Sequence, residues 1–258
     1  MNPIKIIFFD IDGTLVDPAT GRIPEKTILT LARLRERGVR LCISTGRSPV
    51  GLPDFGPVTF DAYSTFNGSL CCSAEGVIHS TPIAPRDVAQ VLCNAAAIGR
   101  PVSVATRDRL SANGIDPDLA DYYRLADLEL TVDENFDAAC RENVYQIMLG
   151  CREADHPAIL RDAKGVKIAV SWDRAVDVIP ACSGKGAAIA AVLAHFGLEA
   201  AQAMAFGDGL NDLDMLQAVG TGVAMGNAAA ALKVAADDVC GPVAEDGIYH
   251  YCVRHGLI

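Results

Sequence analysis

The chain has few positive charges, no paired cysteine motif and no long uninterrupted apolar run. Its 258 residues contain 22 Lys and Arg against 32 Asp and Glu, so the formal net charge is −10 at pH 7. Nucleic acids and anionic membrane surfaces are bound through basic patches, and we therefore expect neither as a partner. If the ligand is itself anionic, a few placed cations or a metal ion must overcome the general negative field.

The nine cysteines are scattered, with no C-x-x-C pair and no Cys/His spacing typical of a zinc site. We interpret them as reduced structural thiols. The apolar stretch near the amino terminus is too short for the core of a secretion signal. The apolar region from Gly186 to Phe206 is interrupted by polar residues, which argues against a membrane span. These absences predict a soluble, cytoplasmic protein, which we expect to be a monomer or a weak homodimer.

What the sequence does contain is ample apolar material, arranged as alternating strands and helices. Half of the residues are hydrophobic, which is enough for a large interior. Ile6–Phe9 is a continuous apolar run, a helical pattern begins at Pro24, and Val39–Ser44 is predicted as a second strand. This order predicts a right-handed β-α-β unit whose strand ends share one edge of the sheet. The alternation returns near the carboxyl terminus, at Gly186–Phe196 (helix), Ala203–Phe206 (strand), Asn211–Val219 (helix), Gly222–Met225 (strand) and Ala228–Ala236 (helix).

The middle of the chain has a different pattern, with strand-like runs separated by helical segments and acidic loops. Proline-containing stretches on either side are suitable linkers. We therefore predict a doubly wound, mostly parallel, Rossmann-like α/β core formed by residues 1–84 and 184–258. Residues 85–183 are predicted to form an inserted α+β domain. Its expected strands are Pro101–Ala105, Val144–Leu149, Lys167–Trp172 and Ala175–Ile179.

Two polar motifs directly follow the first two predicted strands. In FFDIDGTLVD, Asp10 and Asp12 stand at the strand end, where open α/β sheets bind ligands. Neighbouring carboxylates repel each other and are best tolerated beside a divalent cation, although a solvated turn is the alternative. In ISTGRS, Thr45 offers a hydroxyl and Gly46 a backbone N–H that can approach an anion closely. An ordinary strand-to-helix turn would also explain this second motif.

Two further motifs open predicted helices in the last third of the chain. In SGKG, Lys185 opposes the dipole of its helix, which suits a lysine that faces a bound phosphate, although an exposed lysine is the alternative. FGDGLNDLDM gathers Asp208, Asn211, Asp212 and Asp214 around two glycines. Such an acidic loop can supply oxygen ligands to a hard cation, or it can simply cap the following helix.

Taken in this order, the four motifs resemble those of the haloacid dehalogenase-like phosphatases, specifically the Cof-type branch with a large α/β cap. The resemblance extends along the whole chain and places the cap in the insertion. It implies a Mg²⁺-dependent phosphoric monoester hydrolase that acts on a small phosphomonoester through an aspartyl-phosphate. By resemblance, the catalytic pair is Asp10 (nucleophile) and Asp12 (acid/base); the phosphate-binding residues are Thr45, Gly46, Lys185 and Asn211; and the metal ligands are Asp10, the Asp12 carbonyl, Asp208 and Asp212.

Specificity is expected to lie in the cap. Arg107 and Arg109, together with Asn67 of the core, are candidates for contact with the leaving group, with a solvated surface as the alternative for each. The acidic stretch from Asp127 to Asp137 has no functional assignment. Hexose phosphates and phosphorylated cofactors such as flavin mononucleotide or pyridoxal phosphate are both compatible substrates. A phosphomutase that shields its aspartyl-phosphate from water, and a non-catalytic regulator that binds a metabolite, are the rival functions.

Overall fold

The computed structural model describes residues 3–170 and 172–258, and these residues form thirteen strands and nine α-helices. The strands are β1 (Ile6–Phe9), β2 (Arg40–Ser44), β3 (Ala62–Thr65), β4 (Leu70–Ser73), β5 (Gly76–Ser80), β6 (Val102–Ala105), β7 (Leu110–Ala112), β8 (Gln146–Gly150), β9 (Val166–Ala169), β10 (Ala175–Pro180), β11 (Ala203–Gly207), β12 (Thr221–Ala224) and β13 (Asp238–Val239). The helices are α1 (Glu25–Glu36), α2 (Pro85–Ala97), α3 (Pro117–Leu125), α4 (Phe136–Ala139), α5 (His156–Ile159), α6 (Lys185–Phe196), α7 (Leu213–Gln217), α8 (Ala230–Ala235) and α9 (Gly247–Arg254).

The larger sheet has eight strands in the order β13-β12-β11-β1-β2-β3-β4-β5 among the described residues. Strands β13 to β3 pair in parallel, and β4 pairs antiparallel with both β3 and β5. Every residue of β1 is buried, as its continuous apolar run predicts. Because β1 lies between β11 and β2, the carboxyl ends of these three strands meet at one edge. The predicted α/β class with a mostly parallel, doubly wound sheet is confirmed.

Four strands of this sheet, β3 to β5 and the two-residue β13, were not predicted from the sequence. Strand β5 is exposed or half-exposed along its length, and β4 is buried only over its first two residues. Such strands lack the continuous apolar run that identified β1 and β2. The antiparallel β4–β5 hairpin therefore gives little local signal.

The smaller sheet has five strands, ordered β7-β6-β8-β10-β9 within residues 3–170 and 172–258, and every pairing is antiparallel. Helices α2 and α5 cover one face through an apolar cluster that includes Val88, Val91 and Ile159. Helix α3 packs on the other face through Leu119 and Tyr123. The predicted strand Lys167–Trp172 is β9, which ends earlier, and its residue Ser171 lies outside the described residues.

The two sheets are joined by packing as well as by the chain. Phe66, in the turn after β3, stacks on Tyr145 beside β8 with ring centroids 5.3 Å apart. The Ile83 N–H donates to the Val144 carbonyl at 2.7 Å, and Ser80 shares a hydrogen bond with the Tyr145 hydroxyl at 2.9 Å. These contacts hold the smaller sheet against the turn that follows β3 and against the end of β5 with the segment after it.

The helix predicted at Asn211–Val219 is shorter in the structure. A single 3₁₀ turn, Leu210–Asp212, precedes α7. The Asp212 carboxylate accepts hydrogen bonds from the N–H groups of Asp208 and Gly209, each at 2.9 Å, and so holds the loop before the helix. Within the part of the chain that the structure describes, no helix is long and apolar enough to cross a membrane.

Candidate active site

Asp10 stands at the end of β1, at the edge where three parallel strands finish. Its N–H continues the ladder by donating to the Phe206 carbonyl at 3.0 Å, and its side chain is almost fully buried. The carboxylate accepts a hydrogen bond from Lys185 Nζ at 2.7 Å. Burial, and then the charge of Asp212, raise the pKa of Asp10 well above its usual value. The site therefore concentrates negative charge that Lys185 offsets only in part.

Lys185, the first residue of α6, is completely buried between two carboxylates, Asp10 and Asp212. Burial by itself lowers the pKa of this amine, but the two carboxylates together raise it above its ordinary value. The lysine is therefore a fixed positive charge inside the site rather than a solvated surface group.

Asp208 completes the acidic group. Thr14 Oγ1 donates to its carboxylate at 3.1 Å, while burial, and next the charge of Asp212, raise the pKa of Asp208 to about 7. Gly13 has a φ of +82°, and a Cβ at this position would lie 2.2 Å from an Asp208 oxygen. Glycine is thus required both by the backbone conformation and by the close approach of the carboxylate.

The residues of this group fit a divalent cation. Asp10, Asp208 and Asp212 each offer one carboxylate oxygen, and these oxygens all lie within 4.8 Å of one another. Hard oxygen donors are the ligands that Mg²⁺ prefers. After the larger effect of burial, the charge of Asp212 raises the pKa of both Asp10 and Asp208, so a cation bound here would relieve repulsion among the three carboxylates.

Asp12 has different surroundings from Asp10. Its side chain is 49% exposed and is held by Arg47 through two hydrogen bonds, Nε to Oδ2 at 2.9 Å and Nη2 to Oδ1 at 2.6 Å. Arg47 Nη1 also donates to the carbonyls of Gly51 at 2.8 Å and Ala126, after α3, at 3.4 Å. Sequence reasoning assigned no role to Arg47, although it belongs to the ISTGRS motif.

Three of the four residues predicted to bind phosphate, Thr45, Gly46 and Asn211, lie around Asn67. Thr45 is buried, and its hydroxyl accepts a hydrogen bond from the Arg47 N–H at 3.1 Å. A Cβ on Gly46 would lie 3.1 Å from the Asn67 amide nitrogen, and Asn211 Nδ2 donates to Asn67 Oδ1 at 3.1 Å. Asn67 therefore connects the second motif with the fourth.

The two arginines predicted to contact the leaving group do not contact these residues. Arg109 pairs with Glu142 and lies 3.9 Å from Asp133, while Arg107 lines a recess of about 500 Å³. Among the described residues, no hydrogen bond or ion pair joins either arginine to the four motifs. In the acidic stretch, Asp133 accepts hydrogen bonds from Ser111 and from the Asn135 N–H, so part of it has a structural role.

Asp177 of β10, in the smaller sheet, contacts Asn67, which connects the second motif with the fourth. Its side chain is buried and accepts a hydrogen bond from Asn67 Nδ2 at 3.0 Å. Burial raises the pKa of Asp177 to about 7, although hydrogen bonds from Tyr122 and Asn67 oppose the shift. Sequence reasoning missed this residue. The available signal was a carboxylate in the middle of the apolar run AVDVIP.

Comparisons with known proteins agree with this arrangement. A family model of haloacid dehalogenase-like hydrolases matches residues 7–252. YkrA of Bacillus subtilis (strain 168), named only provisionally as a phosphatase, is 33% identical, with 98% of each chain covered. The HMP-PP phosphatase of Escherichia coli O6:H1 is 31% identical over 96% of this chain and 94% of its own.

Solved structures include a relative of the same kind. The subclass IIB sugar phosphatase BT4131 has a TM-score of 0.89 and 30% identity, and the match covers 98% of this chain and 100% of that one. Together with the family match along nearly the whole chain, this confirms the resemblance that the four motifs predicted. The chain belongs to the haloacid dehalogenase-like hydrolases and is a phosphatase of that superfamily.

Proposed function

We propose that this protein is a Mg²⁺-dependent phosphatase that hydrolyses a small phosphorylated metabolite through an aspartyl-phosphate on Asp10. The observation that carries the proposal is the convergence of Asp10, Asp208 and Asp212 on the buried Lys185 at the end of β1. The ion would be held by Asp10, Asp208, Asp212 and the Asp12 main-chain carbonyl. When bound, it supplies positive charge that offsets the repulsion between these carboxylates and a phosphate dianion.

In the proposed reaction, an Asp10 oxygen attacks phosphorus while the bond from phosphorus to the leaving oxygen breaks. Asp12 gives its proton to that leaving oxygen. Asp12 then takes a proton from the water that attacks the phosphoenzyme, and the bond between phosphorus and Asp10 breaks to release phosphate. The remaining phosphoryl oxygens are held by the Thr45 hydroxyl, the Gly46 N–H, Lys185 and Asn211, where charge develops in the transition state.

We assign residues 1–84 and 184–258 to the catalytic core and residues 85–183 to a cap that closes over the substrate. The separate five-stranded sheet supports this division. Closure would exclude water while the leaving group is held. A cytoplasmic protein is supported by nine cysteines that are all free thiols. We further propose a monomer or weak homodimer that binds neither nucleic acid nor membranes.

The substrate is proposed to be a sugar phosphate or a phosphorylated cofactor or cofactor precursor. The relatives named HMP-PP phosphatase and sugar phosphatase support a small phosphorylated substrate. A panel of such compounds, assayed for phosphate release in the presence of Mg²⁺, tests the proposal. A phosphomutase would instead interconvert isomers and depend on a bisphosphate, and a non-catalytic regulator would bind without turnover.

Removing the metal should abolish turnover and should also change stability. In excess EDTA we expect no phosphate release, with recovery on adding Mg²⁺. Because Mg²⁺ binds only the folded site, Mg²⁺ at about 100 times its Kd should raise the free energy of unfolding by about 2.7 kcal/mol. Thermal unfolding with and without Mg²⁺ measures this effect.

Asp208→Asn provides the matched variant for the metal experiment. It removes one of three crowded carboxylates, so the metal-free variant should unfold at a higher temperature than the metal-free parent. Its Mg²⁺-induced shift should largely disappear. Full turnover of the parent in EDTA, or an equal Mg²⁺ shift in Asp208→Asn, would contradict the proposed ligand set.

Arg47→Lys should impair the reaction through Asp12. Lysine cannot reproduce the two-pronged contact of the guanidinium, so the Asp12 carboxylate loses its fixed position. We expect kcat/KM to fall at least about tenfold for an alkyl phosphate, whose leaving oxygen needs a proton, but less for p-nitrophenyl phosphate. Arg37→Lys, which alters a remote contact with the Gly256 carbonyl, is the control. An equal loss with both substrates would assign Arg47 a general structural role.

A further inference from the structure

Asn67 links the cap to the phosphate-binding residues through both ends of its amide. The side chain is 2% exposed and lies in a turn with a φ of +50°. Nδ2 donates to Asp177 Oδ2 at 3.0 Å, and Oδ1 accepts from Asn211 Nδ2 at 3.1 Å. The Asn67 amide therefore has a direction, with its donor toward the smaller sheet and its acceptor toward the core.

Asp177 sets that direction. An ionised carboxylate can only accept hydrogen bonds, and the Tyr122 hydroxyl already donates to its Oδ1 at 2.9 Å. If the Asn67 amide were reversed, its oxygen would face the carboxylate oxygen and a buried acceptor pair would be left without a proton. The Asp177 carboxyl group is ionised above a pH of about 7, because burial raises its pKa to about 7.

The direction of Asn67 determines which group Asn211 can offer to substrate. Since Asn67 presents Oδ1, Asn211 must turn its Nδ2 toward it. The Asn211 oxygen then lies on the opposite side, where a Cβ on Gly209 would be 2.4 Å away. An amide nitrogen carries two N–H donors, so one remains for a phosphoryl oxygen. A reversed Asn211 would present an acceptor, which repels that oxygen.

We propose that Asp177 is a positioning residue that acts through Asn67 to make the Asn211 amide a hydrogen-bond donor toward the phosphoryl group. The relay is complete only when the smaller sheet is docked on the turn after β3, so it couples cap position to phosphate binding. This inference rests on the proposed role of Asn211 in phosphate binding. The proposed role of Asp177 does not require it to contact the leaving group.

Asp177→Asn tests the relay with little change of shape. The new amide can face Asn67 with either end, so the direction of the Asn67 amide is no longer fixed. At a pH above the Asp177 pKa, we expect kcat/KM to fall about 10- to 100-fold, as for the loss of one hydrogen bond to a charged oxygen. The factor should be the same for p-nitrophenyl phosphate and an alkyl phosphate, because the phosphoryl group is common to both.

The double variant Asn67→Asp/Asp177→Asn should restore the direction. Asp at position 67 can accept from both neighbours, so Asn211 is again forced to donate, and Asp tolerates the left-handed backbone as Asn does. We expect most of the lost kcat/KM to return. Asp87→Asn, which neutralises another buried cap carboxylate, is the control and should leave kcat/KM unchanged.

Inorganic phosphate provides a readout that does not depend on turnover. Its inhibition constant, or its Kd from thermal shift, should weaken in Asp177→Asn and recover in the double variant. Three results would overturn the relay. They are an Asp177→Asn variant with parental kcat/KM and phosphate binding, a double variant with no higher kcat/KM than Asp177→Asn, and a loss of kcat/KM for only one of the two leaving groups. A parent that binds phosphate but hydrolyses no phosphomonoester would refute the proposed function alone, because phosphate binding still tests the relay.

Discussion

Asp10→Asn is expected to lose both turnover and the covalent phosphoenzyme, by about 10³-fold or more. The substitution keeps the shape of the side chain but removes the attacking oxygen and one carboxylate of the metal group. It also leaves Lys185 with a single carboxylate partner, Asp212. Phosphate release measures the first loss. Mass spectrometry of acid-quenched enzyme measures the second.

Asp12→Asn should fail at a different step. Its carboxylate contacts Arg47 rather than Lys185, and its proposed metal ligand is a main-chain carbonyl that the substitution retains. Proton transfer is lost, which is typically worth about 10²–10⁴-fold, together with one of the two hydrogen bonds from Arg47. With p-nitrophenyl phosphate, whose leaving group hardly needs a proton, Asp10 can still be phosphorylated while water attack fails. Asp12→Asn should therefore accumulate the phosphoenzyme that Asp10→Asn cannot form.

A third carboxylate of the same segment provides the control for this pair. Asp17 is half-buried, and its side chain accepts a hydrogen bond from the Ala19 N–H at 3.0 Å. Asp17→Asn should therefore keep parental activity. Covalent phosphate trapped on Asp10→Asn, or an Asp12→Asn variant as fast as the parent on an alkyl phosphate, would show that the two roles are wrongly assigned.

The parts of the fold that could be predicted are those with a strong local pattern. Strands β1, β2 and β11 are buried on both faces, so each is a continuous apolar run that the sequence displays directly. Strand β5 pairs through its backbone while its side chains face solvent, and this pairing leaves almost no pattern in the sequence. The helix predicted over Asn211–Val219 begins as a 3₁₀ turn, where Asp212 binds loop N–H groups, and α7 ends at Gln217.

In the candidate site, too, local features could be predicted from the sequence and long-range contacts could not. The motif residues are predictable because each stands where a strand ends or a helix begins. Their partners are not, since the contact of Arg47 with Asp12 spans 35 positions and that of Asn67 with Asp177 spans 110. Such contacts depend on how the sheets are placed. Arg107 and Arg109 were predicted from their charge and their position after a strand, whereas the residue of the smaller sheet that contacts Asn67 is an acid within an apolar strand, Asp177.

Lys185→Met should cost both activity and stability. Methionine has a similar length but no charge, so Asp10 and Asp212 would remain buried beside each other without their shared cation. Removing one member of a buried ion pair typically costs about 3–5 kcal/mol, because the remaining charge is uncompensated. Loss of a cation proposed to face the phosphoryl oxygens should also lower kcat by about 10²–10³-fold. Chemical unfolding and phosphate release measure the two effects.

The stability loss should have a specific cause, which a second substitution can reveal. If the unpaired carboxylates are responsible, Lys185→Met/Asp212→Asn should be more stable than Lys185→Met, although it remains inactive. Lys26→Met is the control, since Lys26 pairs with Asp246 while its side chain is 51% exposed, and such surface pairs contribute about 0–1 kcal/mol. A Lys185→Met variant as stable as Lys26→Met, or one that retains parental phosphate release, would contradict a buried cation at the centre of this site.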